Sequence, residues 1–328
     1  MICVIGGSGF IGTRFCKRLQ FQSSAFSIQD KAPSLTFPDQ AVIADVRDLQ
    51  SLRASIPENS VLINLAAEHR DDVRPLSLYD DVNVRGAENI CTVAREKGVQ
   101  KIIFTSTVAV YGFAAPGTDE TGIIKYFNDY GRTKWLAEGV FQKWQEEDPA
   151  NRTLVIIRPT VVFGEQNRGN VYNLLRQISN GRFVMIGSGR NRKSMAYVEN
   201  IAAFLEHSLG FGPGVHVYNY VDKPDFDMNT LVASVRKKLG RGSSIMLRLP
   251  YTLGMMAGLV FDLLARITGK TFPISSIRVK KFCATTQFDT SIIKSGFAPP
   301  CSLHEGLERT LHYEFLEDNR NAAVFFTE

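Results

Sequence analysis

Ile2–Ile5 is a short apolar run that passes straight into Gly6-Gly7-Ser8-Gly9-Phe10-Ile11-Gly12. No other feature restricts the possible folds so strongly. Glycines at 6, 9 and 12, placed between a strand and an amphipathic stretch, allow a tight turn and a close approach of backbone N–H groups. The helix that follows presents its positive N-terminal end to whatever binds there, which suits a pyrophosphate. A bare glycine triplet is weak evidence, but a strand before it and a helix after it are the context a dinucleotide loop requires.

The rest of the first half repeats the strand–helix alternation. Candidate strands are Ile2–Ile5, Ala25–Gln29, Ala41–Ile43, Val61–Leu65, Lys101–Ser106 and Leu154–Ile157. Candidate helices between them are Ile11–Gln20, Leu49–Ser55, Leu78–Glu96 and Tyr130–Glu147. Near-continuous Val/Ile/Leu strands indicate a parallel sheet covered on both faces. The expected fold is α/β, a doubly wound Rossmann-type parallel sheet with a smaller C-terminal substrate-binding lobe. Residues 1–164 are expected to form the dinucleotide domain. Residues 165–328, where glycines cluster and periodicity weakens, are expected to form mainly the lobe, with some segments returning to the sheet.

Two positions in that frame carry acid/base chemistry. Tyr130 and Lys134 share a helix face, as residues four apart do. An ammonium beside a phenol stabilises the phenolate and is expected to draw its pKa down from about 10. Thr107 follows a strand and so stands at the carboxyl edge of the sheet, where open α/β folds bind ligands. There it is expected to hold a substrate hydroxyl. Asp30 ends the second strand, where a carboxylate bonds a ribose 2′-hydroxyl and repels a 2′-phosphate, which favours NAD over NADP. Asp45 and Val46 follow the third strand, with two readings for Asp45: a contact to adenine, or a surface carboxylate.

These segments resemble the extended short-chain dehydrogenase/reductase family, in particular its nucleotide-sugar epimerases and dehydratases. The likeness runs through the opening glycine loop, Asn64-Leu65-Ala66-Ala67, Ser106–Gly112, Tyr130–Lys134 and Arg158-Pro159. It implies a catalytic set of Thr107, Tyr130 and Lys134. It implies NAD contacts from Gly6, Gly9, Phe10, Ile11, Gly12, Asp30, Asp45, Val46, Leu65, Ala66, Ala67, Tyr130, Lys134 and Pro159. Asn170, Arg192, Lys193 and Arg278 fall near the family's diphosphate-binding positions, and Thr107 and Glu68 lie where they would meet the sugar. For Glu68, His69 and Arg70, contact with the sugar and salt bridging stand as equal readings. The chain also departs from the family, with Val161 where an Asn is common and Lys193 or the neighbouring Arg192 in place of the usual arginine.

Within the family, Ala67–Val73, Arg168–Asn173, Lys193–Tyr197, Tyr218–Asp225 and Arg278–Asp289 resemble epimerases whose N-acetylhexosamine is carried on a polyprenyl diphosphate for surface polysaccharide assembly. That likeness implies reversible 4-epimerisation through a transient 4-keto sugar, with retained NAD, at the cytoplasmic face of a membrane. Leu249–Phe261 bears no charge and is too short to span a bilayer, which takes about 20 residues. Either it is a buried helix of the lobe or it lies in a membrane surface. A soluble UDP-sugar epimerase, a dehydrogenase of a hydrophobic alcohol and a non-catalytic dinucleotide sensor remain as alternatives.

A net charge of +5 without a dense basic tract argues against nucleic-acid binding. The five cysteines lack CxxC spacing, which argues against both a metal site and a disulfide framework. Met1 is followed at once by Ile2–Ile5, with no expected signal peptide. Leu78–Glu96 and Tyr130–Glu147 are the expected faces of a homodimer.

Overall fold

A computed structural model describes residues 1–70, 73–242, 247–269, 272, 275–320 and 322–327. The chain alternates β1 (Ile2–Ile5), α1 (Phe10–Phe21), β2 (Phe26–Asp30), β3 (Ala41–Ile43), α2 (Leu49–Ser55) and β4 (Val61–Asn64). There follow α3 (Ser77–Tyr79), a π-helical stretch Asp80–Arg85, α4 (Gly86–Glu96), β5 (Lys101–Thr105), a 3-10 turn Val108–Tyr111, α5 (Asp129–Glu146) and β6 (Thr153–Pro159). The second half runs β7 (Val161–Phe163), α6 (Asn170–Ser179), β8 (Met185–Ile186), β9 (Arg192–Tyr197), α7 (Val198–Ser208), β10 (Gly214–Tyr220), β11 (Asp222–Asp227) and α8 (Met228–Lys238). It ends with β12 (Arg248–Leu249), α9 (Tyr251–Thr268), α10 (Ser276–Cys283) and α11 (Leu303–Phe315).

Seven strands form one parallel sheet in the order β10-β6-β5-β4-β1-β2-β3. Successive side chains on a strand point to opposite faces, and both faces here are apolar. Ile102, Phe104, Leu154 and Ile156 pack under α4 and α5, with Ala94, Phe141 and Trp144. Ile103, Val155 and Ile157 pack under α1 and α7, with Phe15, Leu19 and Phe204. Hence α7 and β10, both from the second half, complete the dinucleotide sheet. The lobe around them consists of a three-stranded sheet β11-β9-β7, the short pair β12-β8 and the remaining helices.

Three expectations change in detail. β6 runs further than the expected Leu154–Ile157, from Thr153 to Pro159, while Asp30 ends β2 as expected. The single helix expected over Leu78–Glu96 is broken by a π-helical turn. Within that turn the buried Asn83 donates from its amide to Glu68 O and to Thr133 Oγ1, both at 2.9 Å. Such π-bulges commonly sit beside functional sites.

Leu249–Phe261 is the third. Its apolar character does not bury it. Pro250 caps α9 instead of interrupting it, and the helix runs on past Asp262 and Arg266 to Thr268. At 18 residues it rises about 27 Å, and among the described residues it is the one helix long and apolar enough to cross a membrane. Only Gly254 and Gly258 are buried on it. A Cβ at Gly258 would lie 2.7 Å from the Ser276 backbone, so glycine there is what lets α10 lie against α9. Met256 and Leu263, on the outward side, are 62% and 57% exposed.

Candidate active site

The carboxyl ends of β1, β4, β5 and β6 gather the site. Gly6 turns the chain out of β1 at φ +78°. A Cβ at this position would stand 2.6 Å from Ala66 N, so a side chain is excluded both by the backbone angle and by the chain leaving β4. Gly9 caps α1 with no side-chain bond, and no acidic residue stands in the first turn. The N–H groups and the positive end of that helix are therefore left for an anion. Asp30 accepts from Ser8 N and Ala32 N, each at 3.0 Å, which fixes its carboxylate at the rim of the glycine loop. Asp45 is bound by Arg47, at 3.0 Å from Nε and 2.6 Å from Nη2. That bond holds its carboxyl below the ordinary carboxylate range. Val46 is buried against Gly86. Together these features fit a dinucleotide whose pyrophosphate faces α1 and whose ribose faces Asp30.

The Thr107 side chain stands close enough to Tyr130 to favour its phenolate. The Thr107 hydroxyl also accepts from Ala109 N at 3.1 Å, capping the 3-10 turn. Asn128 caps α5 by accepting from Gly131 N at 2.9 Å, which sets Tyr130 in the first turn. Lys134 is 1% exposed, with Nζ 4.2 Å from the centre of the Phe104 ring. No hydrogen bond to Nζ comes from the described residues, so its N–H groups are available to a ribose. Burial lowers the Lys134 pKa from 10.5 to about 7, opposed by Glu138. The expected fall in the Tyr130 pKa does not occur in the polypeptide alone. Burial raises it to about 12 and outweighs the opposing effect of Thr107, because desolvation penalises the phenolate.

Beneath the site lies a network that sequence reasoning missed. Arg158 donates from Nε and Nη2 to the two oxygens of Glu138, at 2.9 and 2.6 Å, and both side chains are buried. A further bond runs from Arg158 Nη1 to the Tyr111 hydroxyl at 2.6 Å, and Tyr111 donates to Asn219 Oδ1 at 2.9 Å. This chain ties α5 to β6, to the turn after Thr107 and to β10. Arg158-Pro159 is a recognisable dipeptide, but its Glu138 partner, twenty residues away on an amphipathic helix, gave no signal.

Asn83 also fixes the loop after β4, since Glu68 N donates to its Oδ1 at 2.9 Å. His69 approaches Tyr130, with ring centroids 6.4 Å apart, and its Nε2 lies 3.1 Å from Thr327 O. The chain near the C-terminus thus passes over the cleft, with Phe325 5.9 Å from Phe10 of the glycine loop. Asp71 and Asp72 lie outside the described residues.

The diphosphate candidates come from three elements, α6, β9 and α10. Asn170 and Arg192 are exposed at the starts of α6 and β9. Lys193 donates from Nζ to Lys281 O and Ala284 O, at 2.9 and 2.7 Å, holding the end of α10; burial lowers its pKa to about 8. Arg278 is exposed on α10, with Nη1 3.3 Å from Phe272 O. A cavity of about 350 Å³ between α9 and α10 is lined by Ile186, Asn191, Tyr251, Lys280 and Cys283.

The NAD dependent epimerase/dehydratase family model matches residues 2–219, and the chain belongs to that family. Its cofactor is NAD. The N-acetyl-alpha-D-glucosaminyl-diphospho-ditrans,octacis-undecaprenol 4-epimerase of Escherichia coli O157:H7 is 50% identical over 331 residues, covering 100% of this chain and 99% of that one. Among solved structures, the Thermotoga maritima UDP-glucose 4-epimerase with UDP-glucose matches at TM-score 0.74 and 20% identity, over 95% of this chain and 97% of that one. The Bordetella bronchiseptica enzyme WbmG, in complex with NAD and UDP, matches at TM-score 0.74 and 15% identity, over 100% and 97%.

Proposed function

We propose that the chain is a 4-epimerase that interconverts N-acetylglucosamine and N-acetylgalactosamine on an undecaprenyl diphosphate carrier, for surface polysaccharide assembly. The observation that carries this reading is 50% identity along the whole of both chains, joined to a Thr107–Tyr130–Lys134 arrangement suited to oxidising an alcohol. Bound NAD supplies the hydride acceptor and a positive ring that favours the phenolate. With NAD bound, Tyr130 would take the proton of the C4 hydroxyl as hydride passes from C4 to the cofactor, giving a 4-keto sugar, and would return the proton as the hydride comes back to the sugar's other face. Thr107 holds the hydroxyl through this exchange. Lys134 binds the ribose and adds positive charge beside the phenol. No net oxidation results, so the cofactor stays bound.

The exposed apolar face of α9 supports a peripheral position on the cytoplasmic side of the membrane, with Arg248 and Arg266 toward the headgroups. The outer faces of α4 and α5 are proposed to pair two copies of the chain, which sedimentation checks.

A soluble UDP-N-acetylhexosamine epimerase is the second reading, favoured by the UDP-bound structural neighbours. Incubating the protein with undecaprenyl-diphosphate-linked and UDP-linked N-acetylglucosamine, then identifying the sugar formed from each, decides between them. Conversion of the lipid-linked sugar well above the UDP-linked one is expected. Equal or higher turnover of the UDP-sugar sinks the lipid-linked reading. Release of stoichiometric NADH would point instead to a dehydrogenase.

A further inference from the structure

The loop between the 3-10 turn and α5 folds back on its own start, since Lys125 N donates to Val110 O at 3.0 Å. Its two arms bring Phe113 and Phe127 together, ring centroids 4.7 Å apart, with the side chains 59% and 47% exposed. Phe127 stands three residues before Tyr130. A tilted aromatic pair left in water so close in the chain to Tyr130 marks a binding surface more than a packing one.

The opposite wall is α10. Lys281 Nζ lies 5.3 Å from the centre of the Phe127 ring, and Lys280 Nζ lies 6.0 Å from that of Phe113. Neither lysine has a carboxylate partner among the described residues. Ammonium groups over aromatic faces gain little at an exposed site, so their charge remains available to an anion. Beyond them α10 rests on α9: Ser276 N donates to Asp262 Oδ2 at 3.2 Å. Two aromatic rings and the two cations facing them thus lie between the start of α5 and an exposed apolar helix.

Few ligands complement all of it. The cations call for phosphate oxygens and the rings facing them for an unsaturated apolar chain. We propose that Phe113, Phe127, Lys280 and Lys281 form the seat of a prenyl diphosphate. The two lysines bind the diphosphate and the ring pair binds the first isoprene units. The seat rests on the lipid-linked reading above and adds how that lipid is recognised. It is separate from α9, which meets the bilayer, because the first isoprene units of any tail length reach it.

The test uses the full chain with its bound NAD. Three N-acetylglucosamine substrates are compared: undecaprenyl-diphosphate-linked, geranyl-diphosphate-linked and UDP-linked. The geranyl compound is too short to demand a membrane, so it isolates the seat from α9. F113S/F127S is expected to raise KM for the geranyl substrate about tenfold, and to raise it more than for the UDP-sugar. Bound NAD per chain and Tm serve as folding controls. K280Q/K281Q keeps the rings, and is expected to raise the geranyl KM at low salt and to flatten its rise with salt.

A geranyl KM within twofold of wild type in both variants overturns the seat. So does an F113S/F127S variant that turns a dimer into monomers at unchanged geranyl KM, since the patch would then be a protein interface. Wild-type enzyme that converts only the UDP-sugar sinks the lipid-linked reading and the seat together. Wild-type enzyme that converts the lipid-linked sugars, beside variants that bind them equally well, sinks the seat alone.

Discussion

The central strands and α9 are both rich in apolar residues, yet they end in opposite environments. Ile102, Ile103, Leu154 and Val155 are fully buried because α4 and α5 cover one face of the sheet and α1 and α7 the other. On α9 only a glycine stripe is covered, by α10 and by Ile186 near Gly254, and the large side chains face out. An apolar run is thus a statement of what must leave water in the working protein. Whether the chain itself supplies the cover depends on how many elements remain to pack against it. The sheet has helices on both faces. The last third of the chain offers α9 only α10.

Mutation can break this comparison. The largest effect is expected at the buried end: Tyr130→Phe should lower kcat by about a thousandfold, within the range of proton-transfer catalysis, with NAD still bound. Substantial residual epimerase activity would show that another group moves the C4 proton. Glu138→Ala strands the Arg158 guanidinium in the core and should cost about 3–5 kcal/mol in denaturant unfolding. A loss below about 1 kcal/mol would mean that the buried network does not hold α5 on β6.

The third prediction concerns pH. Lys134 titrates near 7 in the folded chain, against 10.5 ordinarily. Between these values the unfolded chain binds the extra proton, so this group makes stability rise with pH. The raised Tyr130 pKa opposes it only above pH 10. Lys134→Met should therefore lower the slope of unfolding free energy between pH 7.5 and 9.5 by about 1.4 kcal/mol per pH unit. An unchanged slope would place the lysine in water.

The smallest effect on stability is expected at α9. Replacing Met256, Leu259 and Leu263 by serine together should move unfolding free energy by less than about 1 kcal/mol, since each is already exposed. The same variant should lose most of its flotation with anionic vesicles. A large drop in Tm with flotation intact would mean that α9 packs on protein in solution, and would remove the contrast with the sheet.

Much of the site was readable because its signals are local. The glycine loop, the strand-end hydroxyl at Thr107 and the i, i+4 pair Tyr130–Lys134 each need only a few consecutive residues. The unread parts are pairings between distant segments. Asn83 bonds Glu68 and Thr133 from within the π-helical turn, and nothing in Leu78–Glu96 by itself announces that turn. Lys193 resembles a phosphate-binding cation in its motif, yet its ammonium bonds carbonyls at the end of α10. The Tyr130 pKa rises where the neighbouring lysine suggested a fall, because desolvation acts on both groups and is invisible in a spacing.

By itself the sequence determined the order of most strands and helices in the first half, the glycine loop after β1 and the shared helix face of Tyr130 and Lys134, because strand and helix periodicities and glycine geometry are set by neighbours along the chain. Only the tertiary structure decided which apolar segment is covered, which cations are left free and how strongly each titrating group is desolvated. Burial and charge pairing depend on atoms that meet in space from segments far apart in sequence. α9, apolar in sequence and uncovered in the fold, is the clearest case.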